Sequence, residues 1–162
     1  VAVKGDAEKL RRLEPLLPDF PSFIRFYFIE NRNLPDTIYC RDALPELYMR
    51  YGMWEKAEKV IRLCISCKAY GHTEYTENHK QWIAASGAEE LEQLQQRHEA
   101  ADALLAYLAK NPGQLQNKVY KLPALAAIDH EALVWFCRNS HQIRKEKDGK
   151  TNRLYAVLCA IQ

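Results

Sequence analysis

Residues 129–158 read DHEALVWFCRNSHQIRKEKDGKTNRLYAVL, and this stretch decides the fold. Asp129 is of the residue type that caps helix N-termini, because its carboxylate accepts from backbone N–H groups that the first turn leaves unpaired. The apolar block Ala132 to Cys137 follows, with Glu131 placed early, where the helix dipole favours an acid. The spacing predicts a helix over His130 to about Asn139. Beyond it, Asp148-Gly149 stands between two stretches of mixed polar and apolar residues. A type I′ hairpin turn takes such a pair because both central residues need positive φ. A two-residue turn there sets the cross-strand pairs Lys147/Lys150, Glu146/Thr151, Lys145/Asn152, Arg144/Arg153 and Ile143/Leu154. Two of those pairs are like-charged neighbours, which costs stability. Ile143 and Leu154 root the hairpin in the core and leave a cationic tip.

Upstream, Asn111-Pro112-Gly113 is a hard stop. Before it, Ala88 to Lys110 reads as a long helix with Leu91, Leu94, Ala101, Leu104, Leu105 and Leu108 on one stripe. After it, QLQNKVYKL (114–122) reads as a second helix, ended by a Pro/Ala-rich turn. The order helix (about 98–110), helix (about 114–122), helix (about 129–139), hairpin resembles the winged-helix family of helix-turn-helix proteins. The match runs from His98 to Leu158 and rests on element order and turn chemistry. It implies a DNA-binding regulatory protein whose third helix enters the major groove while the hairpin, or wing, contacts phosphates. The expected phosphate contacts are Arg138, Arg144, Lys145, Lys147, Lys150 and Arg153, with Gln114, Gln116, Asn117, Lys118 and Lys121 on the second helix supplementing the wing with polar contacts. The third helix departs from the family pattern, because its apolar block leaves only His130, Glu131, Arg138 and Asn139 to face a base edge. Glu131 would repel phosphate.

Charge distribution points the same way. The chain carries 23 Lys/Arg against 21 Asp/Glu, a net +2. From His98 onward nine basic residues face six acidic ones (+3), and the first 97 residues hold 14 against 15 (−1). Within Arg138–Arg153 six face two (+4), so the positive excess sits in one short segment. Lys and Arg there would displace counterions from a nucleic-acid backbone without reading sequence.

The N-terminal half reads as helical. Asp6 to Leu17 predicts a short helix stopped by Pro18 and Pro21. Phe20 to Ile29 is apolar on nearly every face and so expected to be buried; its length fits helix or strand, and helix is preferred because nothing nearby supplies a strand partner. Asp42 is placed to cap a helix through Tyr51, with Pro45 tolerated in its first turn. Gly52 ends that helix, and a second runs from about Trp54 to Ala69 before Gly71, with Ala57, Val60, Ile61 and Cys64 on its buried stripe. ALPELYMRYGMWEKAEKVIRLCI resembles a single tetratricopeptide-type helical hairpin, which predicts a helix pair and not a solenoid. Gly71 to Gly87 reads as a polar loop with a short helix around Trp82. The expected architecture is therefore mainly α: a helical bundle over 1–87, then a winged-helix domain over 88–162 with a long leading helix and a small β-hairpin.

Composition sets the class. With 162 residues, 48% apolar and 27% charged, the chain has the make-up of a globular protein with a sizeable core. Its most apolar run is interrupted by Arg25 and is too short to span a membrane. No basic-then-apolar leader opens the sequence, and the absence of Met at Val1 leaves its extent open. Five dispersed cysteines (40, 64, 67, 137, 159) suit reduced thiols in the cytoplasm. Cys64, Cys67, His72 and His79 have the ligand types of a zinc site, but the cysteines fall in a helix that reads as core, so buried thiols are the expectation. Cys137 and His141 could meet as a thiolate pair, yet no third orienting group is evident and the helix is expected to end between them. No Gly-rich phosphate loop, metalloprotease signature or carboxylate pair is present. No enzyme chemistry and no cofactor are expected. Trp54, Trp82 and Trp135 are expected as core or interface anchors.

Two functions follow as expectations. The first is nucleic-acid binding, with DNA as partner and the N-terminal bundle as a dimerisation or partner module. The second is a protein-interaction adaptor, which an exposed apolar groove around Tyr48, Tyr51 and Trp54 would favour. A solvent-exposed third helix lined by cations would favour DNA.

Overall fold

A computed structural model describes residues 2–31, 34–70 and 87–157. The described chain is mainly helical with one small antiparallel sheet. It divides into two compact units, one of residues 1–48 and 54–92 and one of residues 49–53 and 93–162. The sequence-based boundary at 87/88 therefore moves to 92/93, and Met49–Met53 joins the C-terminal unit. Specific contacts explain the transfer. His141 N donates to the Arg50 carbonyl at 2.8 Å, and the Tyr51 and His141 rings lie 4.5 Å apart. A Cβ on Gly52 would meet the Gln142 amide at 2.5 Å.

In the first unit, helix α1 (Ala2–Leu13) runs into a 3₁₀ segment, Glu14–Asp19. Pro15 and Pro18 lack the N–H that α-helical pairing requires, so α1 stops short of the expected Leu17. Helix α2 (Phe20–Asn31) tolerates Pro21 in its first turn. The expectation that α2 is buried on every face is wrong. Phe20 and Ile24, one turn apart, are buried, while Phe23 and Phe26 are 46% and 64% exposed. Phe23 instead pairs with Tyr27, ring centroids 5.7 Å apart.

Helices α3 (Tyr39–Asp42), α4 (Leu44–Arg50) and α5 (Trp54–Ser66) follow. Asp42 does not cap α4 as expected. One of its carboxylate oxygens accepts from Ile38 N (2.8 Å) and the other from Arg41 Nε (2.6 Å), which holds it at the start of α3. Arg41 also donates to the carbonyls of Ala69 (2.9 Å) and Asp36 (3.0 Å), clamping the end of the α5 segment to α3. Helix α5 buries Ala57, Val60, Ile61 and Cys64 as its spacing predicts. It ends earlier than Ala69 because Lys68 turns into the left-handed region, φ 62. Ala69 N then bonds to the Cys64 carbonyl and Lys68 N to that of Ile65, the pairing of a Schellman cap built without glycine. The segment expected to hold a short helix around Trp82 lies outside the described residues.

In the second unit the long helix α6 (Ala88–Lys110), whose residues from Gln93 on belong here, buries Leu94, Ala101, Leu104 and Leu108. Leu91 and Leu105 are half-buried. The expected helix over 114–122 is replaced by strand β1 (Gln114–Leu115) and a one-turn helix, α7 (Gln116–Val119). Gly113 causes this. At φ 76 it swings its N–H onto the Leu154 carbonyl (2.9 Å), laying the next two residues along the hairpin. A 3₁₀ turn (Pro123–Leu125) leads to helix α8 (His130–Asn139), where Asp129 Oδ1 accepts from Ala132 N at 2.8 Å as its sequence position predicts. Strands β2 (Ile143–Asp148) and β3 (Thr151–Ala156) close the sheet in the order β1-β3-β2. Phe136, Leu104, Leu108, Leu154 and Val119 fill the core of this unit.

The hairpin exists where expected but in a different register. Asp148 faces Thr151, Lys147 faces Asn152, Glu146 faces Arg153, Lys145 faces Leu154, Arg144 faces Tyr155 and Ile143 faces Ala156. The two-residue turn is thus Gly149-Lys150, displaced by one residue from Asp148-Gly149. Gly149 has φ 60, and Lys150 is not among the residues with positive φ. Glycine alone at the first central position is the pattern of a type II′ turn. The like-charged pairs expected opposite each other do not form, and Glu146 opposes Arg153 in their place.

Candidate nucleic-acid interface

The register sorts the hairpin side chains onto two faces. Ile143, Lys145 and Lys147 share one with Leu154 and Asn152, and the buried Ile143 and Leu154 turn it towards the helices. The opposite face carries Arg144, Glu146, Asp148, Arg153 and Tyr155. There the charges are largely satisfied. Arg144 pairs with Glu146 and lies over the Tyr155 ring, 4.4 Å from its centroid. Arg153 pairs with Asp148 at 2.8 Å and donates to the Gly113 carbonyl at 3.1 Å. Arg144 and Arg153, both expected as phosphate contacts, are thus brace residues of the sheet as well as exposed cations.

Lys145 is placed differently again. Its stem crosses the buried Leu154, and its Nζ donates to the Arg138 carbonyl in the last turn of α8, 3.2 Å away. A cation there complements the helix dipole. Burial pushes the ammonium below its ordinary value, Cys137 opposes that and the Arg138 charge adds to it.

The remaining five expected basic contacts are exposed: Lys118, Lys121, Arg138, Lys147 and Lys150. None of them has a carboxylate partner among the described residues. They come from three elements that are bound together. Asn117 N meets Thr151 Oγ1 at 3.4 Å, and Asn152 Nδ2 donates to Gln116 Oε1 at 3.1 Å, so the start of α7 sits at the turn end of the wing. Gln116 Nε2 donates to the Tyr120 hydroxyl at 2.8 Å. Tyr120 in turn is hydrogen-bonded to Cys137 and feels the Arg138 charge, which joins α7 to α8. Burial raises the Tyr120 hydroxyl, which keeps it protonated as a donor. Lys118 and Lys121 neighbour the seam residues Gln116 and Tyr120 in sequence, Arg138 follows Cys137, and Lys147 and Lys150 lie at the turn end of the hairpin. A Cβ on Gly149 would meet nothing within 4 Å, so the tip is open to a partner. Sequence reasoning missed the seam residues Tyr120 and Asn152, and placed Gln116 only as a polar contact on a helix. The apolar-polar pattern of 114–122 carried no sign of a strand, and only that strand brings them together.

Helix α8 offers little to a base edge. His130, Glu131 and Arg138 are exposed, and Val134, Trp135 and Asn139 are half-buried. Asn139 Nδ2 is spent on the Trp135 carbonyl (2.9 Å), and the Trp135 ring is covered by Arg97, 4.1 Å from its centroid.

The other sites considered in the sequence do not assemble among the described residues. Cys64 is fully buried, and burial pushes its thiol up to about 12; that of Cys67 is raised for the same reason. Metal ligation needs thiolates. His72 and His79 lie outside the described residues, within which no three metal-ligating groups gather. Cys137 is buried against Tyr120, while the His141 ring lies against that of Tyr51. Tyr48 and Tyr51, at 2% and 7% exposure, are buried rather than exposed. Tyr48 donates to Glu14 Oε1 at 2.5 Å. No described helix is long and apolar enough to cross a membrane. No family model matches the chain, and no curated protein or solved structure matches it.

Proposed function

We propose that the C-terminal unit is a winged-helix module that binds nucleic acid, duplex DNA first, through its phosphate backbone and in a regulatory role. Five exposed cations without carboxylate partners, on α7, α8 and the hairpin turn and next to them in sequence, carry this reading. The helix order and the β1-β3-β2 sheet support the winged-helix resemblance. An α8 face with few free polar groups argues for backbone contact without base readout. No described carboxylate neutralises the five, so each remains available to displace a counterion.

The test is binding to random duplex DNA over a salt series, beside a variant with Lys118, Lys121, Arg138, Lys147 and Lys150 changed to alanine. Arg144, Lys145 and Arg153 are spared because they hold the sheet. Five phosphate contacts give a log–log salt slope of about −4.5, and the variant loses both affinity and slope. Absence of binding by the wild type at low salt refutes the proposal. A protein-interaction adaptor is the second reading, favoured by the exposed Phe23 and Phe26 on α2.

A further inference from the structure

We propose that the outer edge of β2 is a homodimer interface, on which a second copy of this chain lays its own β2 antiparallel, with Lys145 at the two-fold axis. The inference starts from the backbone bonds that flank the hairpin. Val157 N donates to the Gln142 carbonyl at 2.9 Å, so Gln142, and with it Arg144, Glu146 and Asp148, spends its backbone groups on β3. Gly113 N donates to the Leu154 carbonyl at 2.9 Å, so the intervening residues of β3 face β1. Ile143, Lys145 and Lys147 are left with N–H and C=O groups that point away from the sheet. In the order β1-β3-β2 no described strand lies beyond β2, and Arg144 to Lys147 are exposed. An open edge of this kind is a template for another strand.

The charges select the occupant. Outward-pointing groups recur at every second residue, so a second copy changes register only in steps that keep odd-numbered residues opposite one another. With Lys145 opposite its own copy, Arg144 faces Glu146 of the second copy, and Glu146 faces its Arg144. Within each chain Glu146 already opposes Arg153. A row across the joined sheet then runs Arg153, Glu146, Arg144 of the second copy, alternating in sign. One step in one direction sets Glu146 against Glu146 and Lys145 against Lys147. One step in the other sets Arg144 against Arg144. The register centred on Lys145 is the one in which the opposite charges meet reciprocally, as a two-fold interface requires. Its like-charged centre, Lys145 against its own copy, is eased because each ammonium is drawn to the Arg138 carbonyl of its own chain, 3.2 Å away.

Dimerisation is measured without nucleic acid, so it stands or falls apart from the function proposed above. In sedimentation equilibrium of the intact chain over the micromolar range, the mass rises towards twice the single-chain value of 18.8 kDa. Arg144→Glu and Glu146→Arg each set like charges against each other and stay at the single-chain mass. An equimolar mixture of the two recovers the doubled mass, because each strand then faces the opposite sign. Lys145→Pro removes the central outward N–H and no bond to β3, so it keeps the circular dichroism of the wild type and abolishes the dimer. A wild type that stays at the single-chain mass overturns the proposal. So does a dimer that persists in Lys145→Pro or in either charge variant alone. A mixture that fails to recover the doubled mass overturns the register.

Discussion

The turn sets the shape of the wing tip, and substitutions at its two adjacent central residues test its type. Gly149 holds φ 60 at the first central position of the turn, and its missing Cβ would touch nothing within 4 Å. Alanine there meets no clash, so its whole cost is backbone strain, about 1–2 kcal/mol. Lys150 has no positive φ, so Lys150→Gly relieves nothing and loses only chain entropy, a change of about 0.5–1 kcal/mol in the same destabilising direction. A type I′ turn over the same two residues would require positive φ at both. In that case Lys150→Gly would stabilise the hairpin. Urea unfolding of each variant reads the difference. With a slope of about 2 kcal/mol per molar, Gly149→Ala lowers the midpoint by about 0.5–1 M. A stabilised Lys150→Gly would show a type I′ turn in the same register, and an unchanged Gly149→Ala would show that the turn places no strain at Gly149.

Three further outcomes are expected. Asp129→Ala removes the carboxylate that caps α8 and costs about 1 kcal/mol, measured by the same unfolding midpoint; a neutral change would mean the 2.8 Å bond to Ala132 N contributes nothing. Lys68→Gly frees the left-handed cap of α5 and stabilises the first unit by about 1 kcal/mol, read as slower amide exchange at the end of α5; faster exchange contradicts the strain argument. Burial pushes the Cys137 thiol up to about 11 from 9.0, so the folded chain keeps a proton that the unfolded chain releases. Stability is full below pH 9 and declines towards pH 11 by about 2–3 kcal/mol under reducing conditions; Cys137→Ala should flatten much of that decline, and a profile that rises with pH opposes the assignment.

How far the sequence was legible depends on the range of the interaction. Local signals succeeded: the Asp129 cap, the helix over 130–139, the stop at 111–113 and the existence of the hairpin all follow from neighbours within a few residues. The failures came where a distant partner decides. β1 was read as helix because nothing near Gln114 reveals that Leu154 waits for its backbone. The hairpin slipped because Asp148-Gly149 and Gly149-Lys150 are both acceptable turns, and the choice is made by strand pairing further along. A stretch apolar on nearly every face suggested that α2 is buried, whereas only Phe20 and Ile24 are, and Phe23 and Phe26 stay exposed. Of the eight expected basic contacts, the sequence could not tell that Arg144, Lys145 and Arg153 are also tied into the fold, since their partners depend on the register.

The pairing of β1 with β3 also has a kinetic meaning. Arg153 and Gly113, joined through side chain and carbonyl, lie 40 residues apart, with α7, α8 and the whole wing between them. Closing that loop costs entropy before its few hydrogen bonds repay it. The hairpin and α8 can form from near neighbours, and β1 is then the last strand to zip into place. Refolding of this unit should finish on the docking of two residues, Gln114 and Leu115, and a cut anywhere in β3 should release them first.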